Sequence, residues 1–385
     1  MKVLLIIDSL YTGGAEISSL QLMSYLKSKG HAVKLCKLQD RIPEYDPSDF
    51  GLTNETITLN GKYLIEQVTG IVNLIKEFKP DVVHSVLFKS NIRTRLAKAI
   101  FNFLHVESLV SCPYDNVRLR DPKINKLGFY VYKYMDKMLV TKGVDYCIAI
   151  TEQVKRHYNN ELRIPGKKIG VISRGREVNE FKSIEKSCRE DIVTQLGIDK
   201  ESVLLIHVGR QEYAKGHLIF LKALTDIYKK KSEVWRGIKV LFCGREGNET
   251  SAILDYLSQH PYLSENIYWL GHRSDIPKLL VSSDLFVFPS LYEGLGGALI
   301  EAQAAGLPII CSDLPVFSEV VVDKVNALMF PIGNEIELSK QLVKLVQDAA
   351  LRESMSKRSL ENFNNKFNLR KINEETLKFY QQIIS

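Results

Sequence analysis

Residues 292–308 read YEGLGGALIEAQAAGLP, a glycine-rich turn that leads from an apolar strand at 284–288 into a helix beginning near Gly296. Glu293 lies in the turn, and Glu301 lies about one turn into the helix. Helix N-termini bind phosphate through their free N–H groups, and carboxylates accept hydrogen bonds from sugar hydroxyls. The stretch therefore fits a phosphate-bearing polyhydroxyl ligand, the alternative being a plain strand–turn–helix corner with two solvated glutamates.

The same alternation of strand and helix extends through the second half of the chain. Short apolar runs predict strands at 203–208, 238–243, 266–270, 284–288, 308–311 and 327–330. Helices are predicted between these strands, and the last helices are predicted at 335–349, 351–363 and 369–383. Strict alternation indicates parallel strands with helices on both faces of the sheet.

The first half has the same architecture without a recognisable sequence repeat. Strands are predicted at 3–7, 32–38, 81–86, 105–112, 145–149 and 168–172. The polar residues 39–61 predict a loop with one short strand at 56–59. The predicted fold class is α/β, with two Rossmann-like doubly wound domains at 1–175 and 176–368 that face each other across a cleft.

Length and composition are those of a two-domain globular protein. A chain of 385 residues with 45% hydrophobic residues can bury two cores. Its six cysteines are scattered and have no CxxC spacing, which predicts small buried side chains in a reducing compartment. The first apolar run ends at Asp8, too early for a signal peptide, and no run reaches the ~20 residues of a membrane span. We expect a cytoplasmic protein, or one at the inner face of a membrane.

The positive charge is concentrated in the first half. Residues 1–170 hold 25 Lys and Arg against 17 Asp and Glu, whereas residues 171–385 hold 27 against 28. Residues 118–142 also combine lysines and arginines with three tyrosines and a phenylalanine, and Lys89, Arg93, Arg95 and Lys98 suggest a second basic helix face. Such a segment predicts peripheral membrane contact, the alternative being an amphipathic helix whose aromatic side packs on the sheet. Nucleic acid is not an expected partner because no recognition motif is present.

Several charged loops follow the predicted strands of the second half. Arg210 and Lys215 follow the first strand, Arg245 follows the second, and His272 follows the third. Because carboxyl ends of parallel strands share one edge of a sheet, these loops should lie beside the turn at 292–308. Two cations, a helix N-terminus and two carboxylates suit a nucleotide diphosphate sugar. The alternative for Arg210 and Lys215 is a solvated pair of loop residues.

Four stretches carry a resemblance to glycosyltransferase family 4, the retaining glycosyltransferases of the GT-B fold. They are Gly13 to Glu16, Gly209-Arg210 with Lys215-Gly216, Gly271 to Ile276, and Pro289 to Ala302 with its Glu-x7-Glu spacing. The resemblance covers nearly the whole chain and is strongest from 203 to 330. It implies that the N-terminal domain binds the acceptor and that the last helix, 369–385, returns to that domain.

The resemblance also implies roles for individual residues. Arg210 and Lys215 would bind the donor diphosphate, Glu301 the ribose hydroxyls and Glu293 the donor sugar. The residues assigned to the donor are Gly13, Gly14, Arg210, Lys215, His272, Glu293, Gly294, Leu295, Gly296 and Glu301. The catalytic set is Glu293, Arg210, Lys215 and His84, where His84 ends a strand and has as its alternative a satisfied core histidine.

The sequence departs from the family in two places. Where many members have a histidine after the strand at 105–112, this chain has Pro113-Tyr114-Asp115, so His84 or Asp115 is expected to replace that contact. Where the family has Asn-Gly near the domain junction, this chain has Arg174-Gly175-Arg176, which suggests cations for an anionic acceptor. Asp115 and Arg174 are therefore assigned to the acceptor.

The reaction implied is transfer of a hexose-type sugar from a UDP or GDP sugar to a saccharide or lipid-linked acceptor with retention, in surface polysaccharide or glycolipid synthesis. The nucleotide sugar is a co-substrate, and no cofactor is expected. No Asp-x-Asp ends a strand, so no metal is expected. The alternatives are a sugar-nucleotide epimerase of the same fold and a non-catalytic sugar-nucleotide-binding protein or scaffold. The first glycine turn lacks a dinucleotide fingerprint, which argues against a dehydrogenase.

Overall fold

The computed structural model describes residues 1–11, 13–39, 45–59, 61–121, 123–185 and 187–385. Part of the predicted loop at 39–61 and one residue of the first glycine turn, Thr12, lie outside these ranges. The chain forms two compact units. The first contains Met1–Asp115, Ile124–Arg174 and Arg370–Ser385, and the second contains Asn116–Lys123 and Gly175–Leu369.

The first unit is built on a seven-stranded parallel sheet, counted over the described residues. Its strands are β1 (Lys2–Ile7), β2 (Ala32–Lys37), β3 (Thr56–Thr58), β4 (Val82–Val86), β5 (His105–Leu109), β6 (Tyr146–Ala149) and β7 (Ile169–Val171). They lie in the order β3-β2-β1-β4-β5-β6-β7. Its helices are α1 (Gly14–Ser28), α2 (Leu64–Phe78), α3 (Phe88–Ile100), α4 (Lys126–Gly143) and α5 (Glu152–Leu162).

The second unit is built on a six-stranded parallel sheet, again over the described residues. Its strands are β8 (Val203–Val208), β9 (Ile238–Cys243), β10 (Ile267–Gly271), β11 (Leu285–Phe288), β12 (Ile309–Ser312) and β13 (Ala327–Phe330), in the order β10-β9-β8-β11-β12-β13. The helices that accompany this sheet are α6 (Asn179–Lys182), α7 (Cys188–Leu196), α8 (His217–Lys230), α9 (Ser232–Arg236), α10 (Thr250–Gln259), α11 (Ile276–Val281), α12 (Gly297–Ala304), α13 (Phe317–Val320), α14 (Glu335–Gln347) and α15 (Ala349–Lys366).

The predicted fold class of two doubly wound parallel α/β domains is confirmed. Strands such as β1 and β11 are buried along nearly their whole length because helices cover both faces of each sheet. Clusters of buried aliphatic and aromatic side chains form between the sheets and their helices. These strands could be predicted from sequence because a strand that is buried on both faces has a continuous run of apolar residues.

The final helix, α16 (Leu369–Ile384), completes the first unit rather than the second. Tyr380 on this helix is fully buried among the side chains of β1, β2 and α1. Its phenolic oxygen is hydrogen bonded to Nδ1 of His84 on β4. The first unit therefore depends on residues from the far end of the sequence.

One of the four residues that suggested a basic face on helix α3, Arg95, is not on the surface. Arg95 is buried and forms ion pairs with Glu107 on β5, at 2.6 Å, and with Asp136 on α4. Asp136 also accepts a hydrogen bond of 2.6 Å from the Tyr114 hydroxyl. Arg95 is thus a structural residue that joins α3, α4 and the sheet, because a buried guanidinium needs carboxylate partners.

Helix α4 begins later than the basic segment at 118–142 suggested. Residues Asn116–Arg120 form a 3-10 turn, and Asn125 caps α4 by accepting a 3.0 Å hydrogen bond from the Gly128 N–H. Of the six cysteines, Cys36, Cys147, Cys243 and Cys311 are buried, and each of the six is a free thiol. No helix in the described parts of the chain is long and apolar enough to span a bilayer.

Candidate active site

The glycine-rich turn after β11 requires glycine at Gly296. Its φ of 78° is left-handed, and a Cβ there would meet the Phe317 ring at 2.7 Å. The turn delivers the chain to Gly297, the first residue of α12, whose opening N–H groups have no partners within the helix. Leu295 is buried beside it and Gly294 precedes it in the turn. Gly296 is thus required by its backbone conformation and by packing on Phe317, and the turn places next to it a helix N-terminus of the kind that can bind an anion.

Lys215 reaches this turn from the loop after β8. Its ammonium forms an ion pair with Glu293 and lies 5.5 Å from the ring centre of Phe288. A backbone hydrogen bond of 2.8 Å from the Leu291 N–H to the Ala214 carbonyl joins the two loops. The cation and the carboxylate that the sequence assigned to the donor are therefore in direct contact.

Gly216 makes the approach of these loops sterically feasible. Its φ is 67°, and a Cβ would stand 2.1 Å from the Pro289 carbonyl oxygen. Any larger residue would push the loop that carries Lys215 away from the turn that carries Glu293. The Lys-Gly pair at 215–216 is thus explained by packing as well as by charge.

Arg210 lies on the same sheet edge but points into solvent. Its side chain is 62% exposed and forms an ion pair of 2.6 Å with Glu212. Its loop is held by a hydrogen bond of 2.8 Å from the Gly209 N–H to the Cys243 carbonyl at the end of β9. Arg210 can therefore change rotamer to meet a ligand without disturbing the core.

Glu301 on α12 is paired with Arg176, a contact that the sequence did not predict. The Arg176 Nε and Nη2 atoms lie 2.8 and 2.7 Å from Glu301 Oε1. Arg176 is buried, whereas the Glu301 side chain is 25% exposed. The second arginine of the Arg-Gly-Arg sequence thus holds a carboxylate of its own chain.

His272 and the neighbouring loop lie at the end of β10. Gly271 has a φ of 62°, and the exposed His272 follows it. Arg273 then donates two hydrogen bonds, of 2.8 and 2.6 Å, to Asp275 in front of α11. This pair fixes the loop from which His272 projects.

The first unit carries Gly13 and Gly14 at the start of α1. A Cβ on Gly13 would stand 2.4 Å from Glu16 Oε2. Burial raises the pKa of Glu16, and the positive charge of Arg174 opposes that rise. The positive charge of Arg174 is therefore felt by Glu16, in the first turn of α1.

His84 is placed in the core of the first unit. Its Nδ1 is bonded to Tyr380, and its Nε2 lies 2.8 Å from the Ser108 hydroxyl. Burial lowers its pKa to about 4. With both nitrogens occupied and the ring buried, His84 fits the alternative of a satisfied core histidine, and we do not retain it in the catalytic set.

The segment Asn116–Lys123 belongs to the second unit, although the residues on either side of it belong to the first. The Arg118 guanidinium lies 5.9 Å from the ring centre of Tyr292, the residue before Glu293. Asn248 donates a 3.2 Å hydrogen bond to Asp121 and accepts one of 2.8 Å from the Tyr213 N–H. No local pattern indicated this packing, because it depends on partners more than 120 residues away.

Helix α4 exposes one apolar face. The opposite face, with Phe129, Asp136 and Val140, is buried against the unit. Residues spaced by three and four positions are exposed, with 76% of Leu127 and 67% of Tyr134 accessible, and the same face includes Tyr130, Val131, Met135 and Met138. The aromatic side of the segment is therefore largely solvent-exposed rather than packed on the sheet.

Comparison with known families matches both halves of the chain. The family model described as Glycosyltransferase Family 4 matches residues 12–180. The family model described as Glycosyl transferases group 1 matches residues 188–361. The first match includes β2 to β7 of the first sheet, and the second includes β8 to β13 of the second sheet.

Individual proteins agree with this assignment. The UDP-Gal:alpha-D-GlcNAc-diphosphoundecaprenol alpha-1,3-galactosyltransferase of Escherichia coli is 26% identical, over 92% of this chain and 90% of the relative. The N,N'-diacetylbacillosaminyl-diphospho-undecaprenol alpha-1,3-N-acetylgalactosaminyltransferase of Campylobacter jejuni is 28% identical, over 85% of this chain and 84% of the relative.

Solved structures agree in fold. HepE of Anabaena in complex with UDP superposes with a TM-score of 0.82 at 18% identity, over 99% of this chain and all of HepE. WaaG, a glycosyltransferase of lipopolysaccharide biosynthesis, superposes with a TM-score of 0.75 at 16% identity, over 98% and 99% of the two chains. The two family models, which match residues 12–180 and 188–361, show that the chain belongs to glycosyltransferase family 4, the retaining glycosyltransferases of the GT-B fold.

Proposed function

We propose that this glycosyltransferase moves a hexose-type sugar from a UDP sugar to a lipid-linked saccharide, in the synthesis of a surface polysaccharide or glycolipid. The observation that carries the proposal is the contact of Lys215 with Glu293 beside the N-terminus of α12. A diphosphate and a sugar hydroxyl are the two chemical groups that such a cation and carboxylate, side by side, would bind.

The choice of donor and acceptor is supported by the relatives. The Escherichia coli relative uses UDP-Gal, and both curated relatives act on diphosphoundecaprenol-linked sugars according to their names. The same chemistry in this chain would need a diphosphate site and access to a lipid surface. The second unit would supply the diphosphate site, and helix α4 of the first unit would supply the contact with the lipid surface.

The chemistry proposed is stabilisation of the leaving diphosphate. Lys215, Arg210 and the N–H groups of α12 would neutralise its negative charge as the bond to the sugar breaks. The acceptor hydroxyl would attack the same face of the sugar, and its proton would pass to the departing phosphate oxygen. Glu293 would hold the donor sugar through its hydroxyls, and no metal is needed for these steps.

The acceptor side is assigned to the first unit. Asp115 and the Arg174 guanidinium are the candidate polar contacts there, and Arg174 would bring positive charge toward an anionic acceptor. Gly13 and Gly14 would let the backbone approach the donor phosphates closely. The protein would be cytoplasmic and bind the inner face of the membrane.

The membrane-binding surface proposed is the exposed face of α4, defined by Leu127, Tyr130, Val131, Tyr134, Met135 and Met138. Lys126, Lys137 and Lys142 on the same helix add positive charge. An apolar and aromatic face flanked by lysines suits the headgroup region of a bilayer containing anionic lipid.

Turnover is the direct test of the function. The full-length protein is incubated with UDP-glucose, UDP-galactose and their N-acetyl forms, with a polyprenyl-diphosphate-linked sugar as acceptor. The expected result is a lengthened lipid-linked saccharide with retained anomeric configuration. Interconversion of nucleotide sugars without transfer would instead establish an epimerase. Binding of UDP without turnover on any lipid-linked or free saccharide would establish a sugar-nucleotide-binding protein.

Membrane binding is tested separately by co-sedimentation with vesicles. Wild type should sediment with phosphatidylglycerol-containing vesicles more than with phosphatidylcholine vesicles alone. A Leu127→Ser, Tyr134→Ser variant should lose most of this binding. The control variant Ile65→Ser, Leu254→Ser removes two other exposed apolar side chains, 78% and 60% accessible, and should bind as wild type. If the α4 variant and the control variant sediment equally with phosphatidylglycerol-containing vesicles, the role of α4 in membrane binding is refuted.

A further inference from the structure

Glu301 forms an ion pair with Arg176, and the family resemblance does not explain this contact. Arg176 is 4% exposed and directs both Nε and Nη2 to Glu301 Oε1, at 2.8 and 2.7 Å. Among the described residues, both of these bonds are received by the same oxygen. Oε2 of Glu301 therefore keeps its lone pairs on a side chain that is partly open to solvent.

The Arg176 guanidinium is itself held on other sides. Its Nη1 donates a 2.9 Å hydrogen bond to the Gly175 carbonyl, and Nη2 lies 3.3 Å from the place a Cβ on Gly297 would occupy. Because all three guanidinium nitrogens contact Glu301 or the Gly175 carbonyl, the orientation of the planar group has little freedom. A fixed guanidinium in turn limits the rotation of the carboxylate that it binds.

The backbone of Arg176 is also anchored. Its N–H donates to the Phe367 carbonyl at 3.0 Å, and its carbonyl accepts from the Leu369 N–H at 3.2 Å. Gly175 permits this approach, because a Cβ there would stand 2.6 Å from Leu369 Cα. The support for Glu301 is thus assembled from two segments far apart in sequence, at 175–176 and 367–369.

We infer that Arg176 is a positioning residue for nucleotide binding: it holds Glu301 through Oε1 so that Oε2 faces the ribose hydroxyls of the donor. The inference rests on the proposed function, in which Glu301 binds the ribose. It also replaces the expectation that the arginines of this sequence both serve an anionic acceptor. Arg176 touches the carboxylate and not the sugar, so its effect on the ligand passes through Glu301.

The inference is tested by comparing the binding of UDP and of 2′,3′-dideoxy-UDP by calorimetry. Wild type should bind UDP about tenfold or more tightly than the dideoxy compound, since a hydrogen bond to a charged group is lost. Arg176→Met should remove most of that preference by weakening UDP and leaving the affinity for the dideoxy compound nearly unchanged. A merely structural role would weaken both ligands equally.

Four further variants make the outcome decisive. Glu301→Gln should lose the same preference, and the Arg176→Met, Glu301→Gln double variant should be no worse than Glu301→Gln alone. Arg176→Lys keeps the charge but not the planar fork, and should restore part of the preference. Arg189→Met is the matched control, since Arg189 pairs with Asp284 at 3.0 Å in the same unit.

The possible results separate the inference from its basis. If Glu301→Gln loses the preference while Arg176→Met keeps it, the positioning role is wrong. If Glu301→Gln keeps the preference, the ribose assignment of the proposed function is wrong, and the inference fails with it. If Arg176→Met does not fold, Arg176→Lys decides: a reduced preference supports the inference, and a preference equal to that of wild type overturns it.

Discussion

Replacing Lys215 by methionine tests the donor site most directly. Methionine keeps much of the length of the side chain and removes the ammonium. In the structure this ammonium pairs with Glu293 and lies over Phe288. In the ligand-bound protein, the Lys215 ammonium would bind the donor diphosphate, either together with Glu293 or in its place.

The size of the effect follows from the geometry. A hydrogen bond to a charged group is worth about 1.5–3 kcal/mol, so UDP should bind roughly 10- to 150-fold more weakly. The turnover number should fall by a further factor of about 100 or more, because the charge on the leaving diphosphate grows as the bond breaks. The ion pair is largely buried, with 21% and 14% of the two side chains exposed, so leaving Glu293 without its cation should also cost about 1–3 kcal/mol of folding free energy.

The assays are calorimetry with UDP, steady-state kinetics with the UDP sugar that the turnover test selects, and urea unfolding. Lys230→Met is the matched control, since Lys230 pairs with Asp226 at 2.5 Å on α8, outside the site. It should leave binding and turnover unchanged. If Lys215→Met binds UDP and turns over as wild type does, the assignment of the diphosphate to this edge of the sheet is refuted.

Three other changes are predicted. Arg210→Ala should weaken UDP binding about tenfold with no change in the unfolding midpoint, because the side chain is exposed; unaltered affinity in calorimetry would count against its role. Arg95→Met should lower the free energy of unfolding by roughly 3–5 kcal/mol in urea titrations, because two buried carboxylates lose their cation, and a loss under 1 kcal/mol would contradict the structure. Burial raises the pKa of Glu249 from 4.5 to about 7, so its contribution to stability is fully present below pH 4.5 and is lost as the pH rises through 7. In urea titrations, wild type should therefore lose stability relative to the Glu249→Gln variant between pH 5 and pH 8. A difference between the two proteins that does not change with pH would exclude this pKa shift.

The contact of Lys215 with Glu293 could be anticipated from sequence because both residues follow parallel strands. The carboxyl ends of parallel strands lie at one edge of a sheet, so the sequence predicted that the two loops share this edge, although it did not predict that β8 and β11 are neighbours. The glycines at 216 and 296 were visible as well, since a close approach or a left-handed φ selects glycine. This part of the site is therefore encoded locally.

The environments of His84, Arg95 and Arg176 could not be anticipated in the same way. His84 is bonded to a tyrosine 296 residues away, and the carboxylates of Arg95 come from β5 and α4. Helical and strand periodicities show which side chains share a face, but they do not show which charged partner a distant element supplies. From the sequence, His84 at a strand end and Arg95 on a helix could therefore be expected on the surface, although both side chains are buried.

The position of Tyr380 has a consequence for how the protein is made. The second unit has all of its residues once Leu369 has been synthesised, whereas the first unit still lacks α16. Until residue 380 has left the ribosome, the core cluster of the first unit lacks the Tyr380 side chain, and Nδ1 of His84 lacks this partner. We expect the N-terminal unit, although synthesised first, to reach its native core last. Its unfinished apolar surface is then the part of the nascent chain most in need of a chaperone.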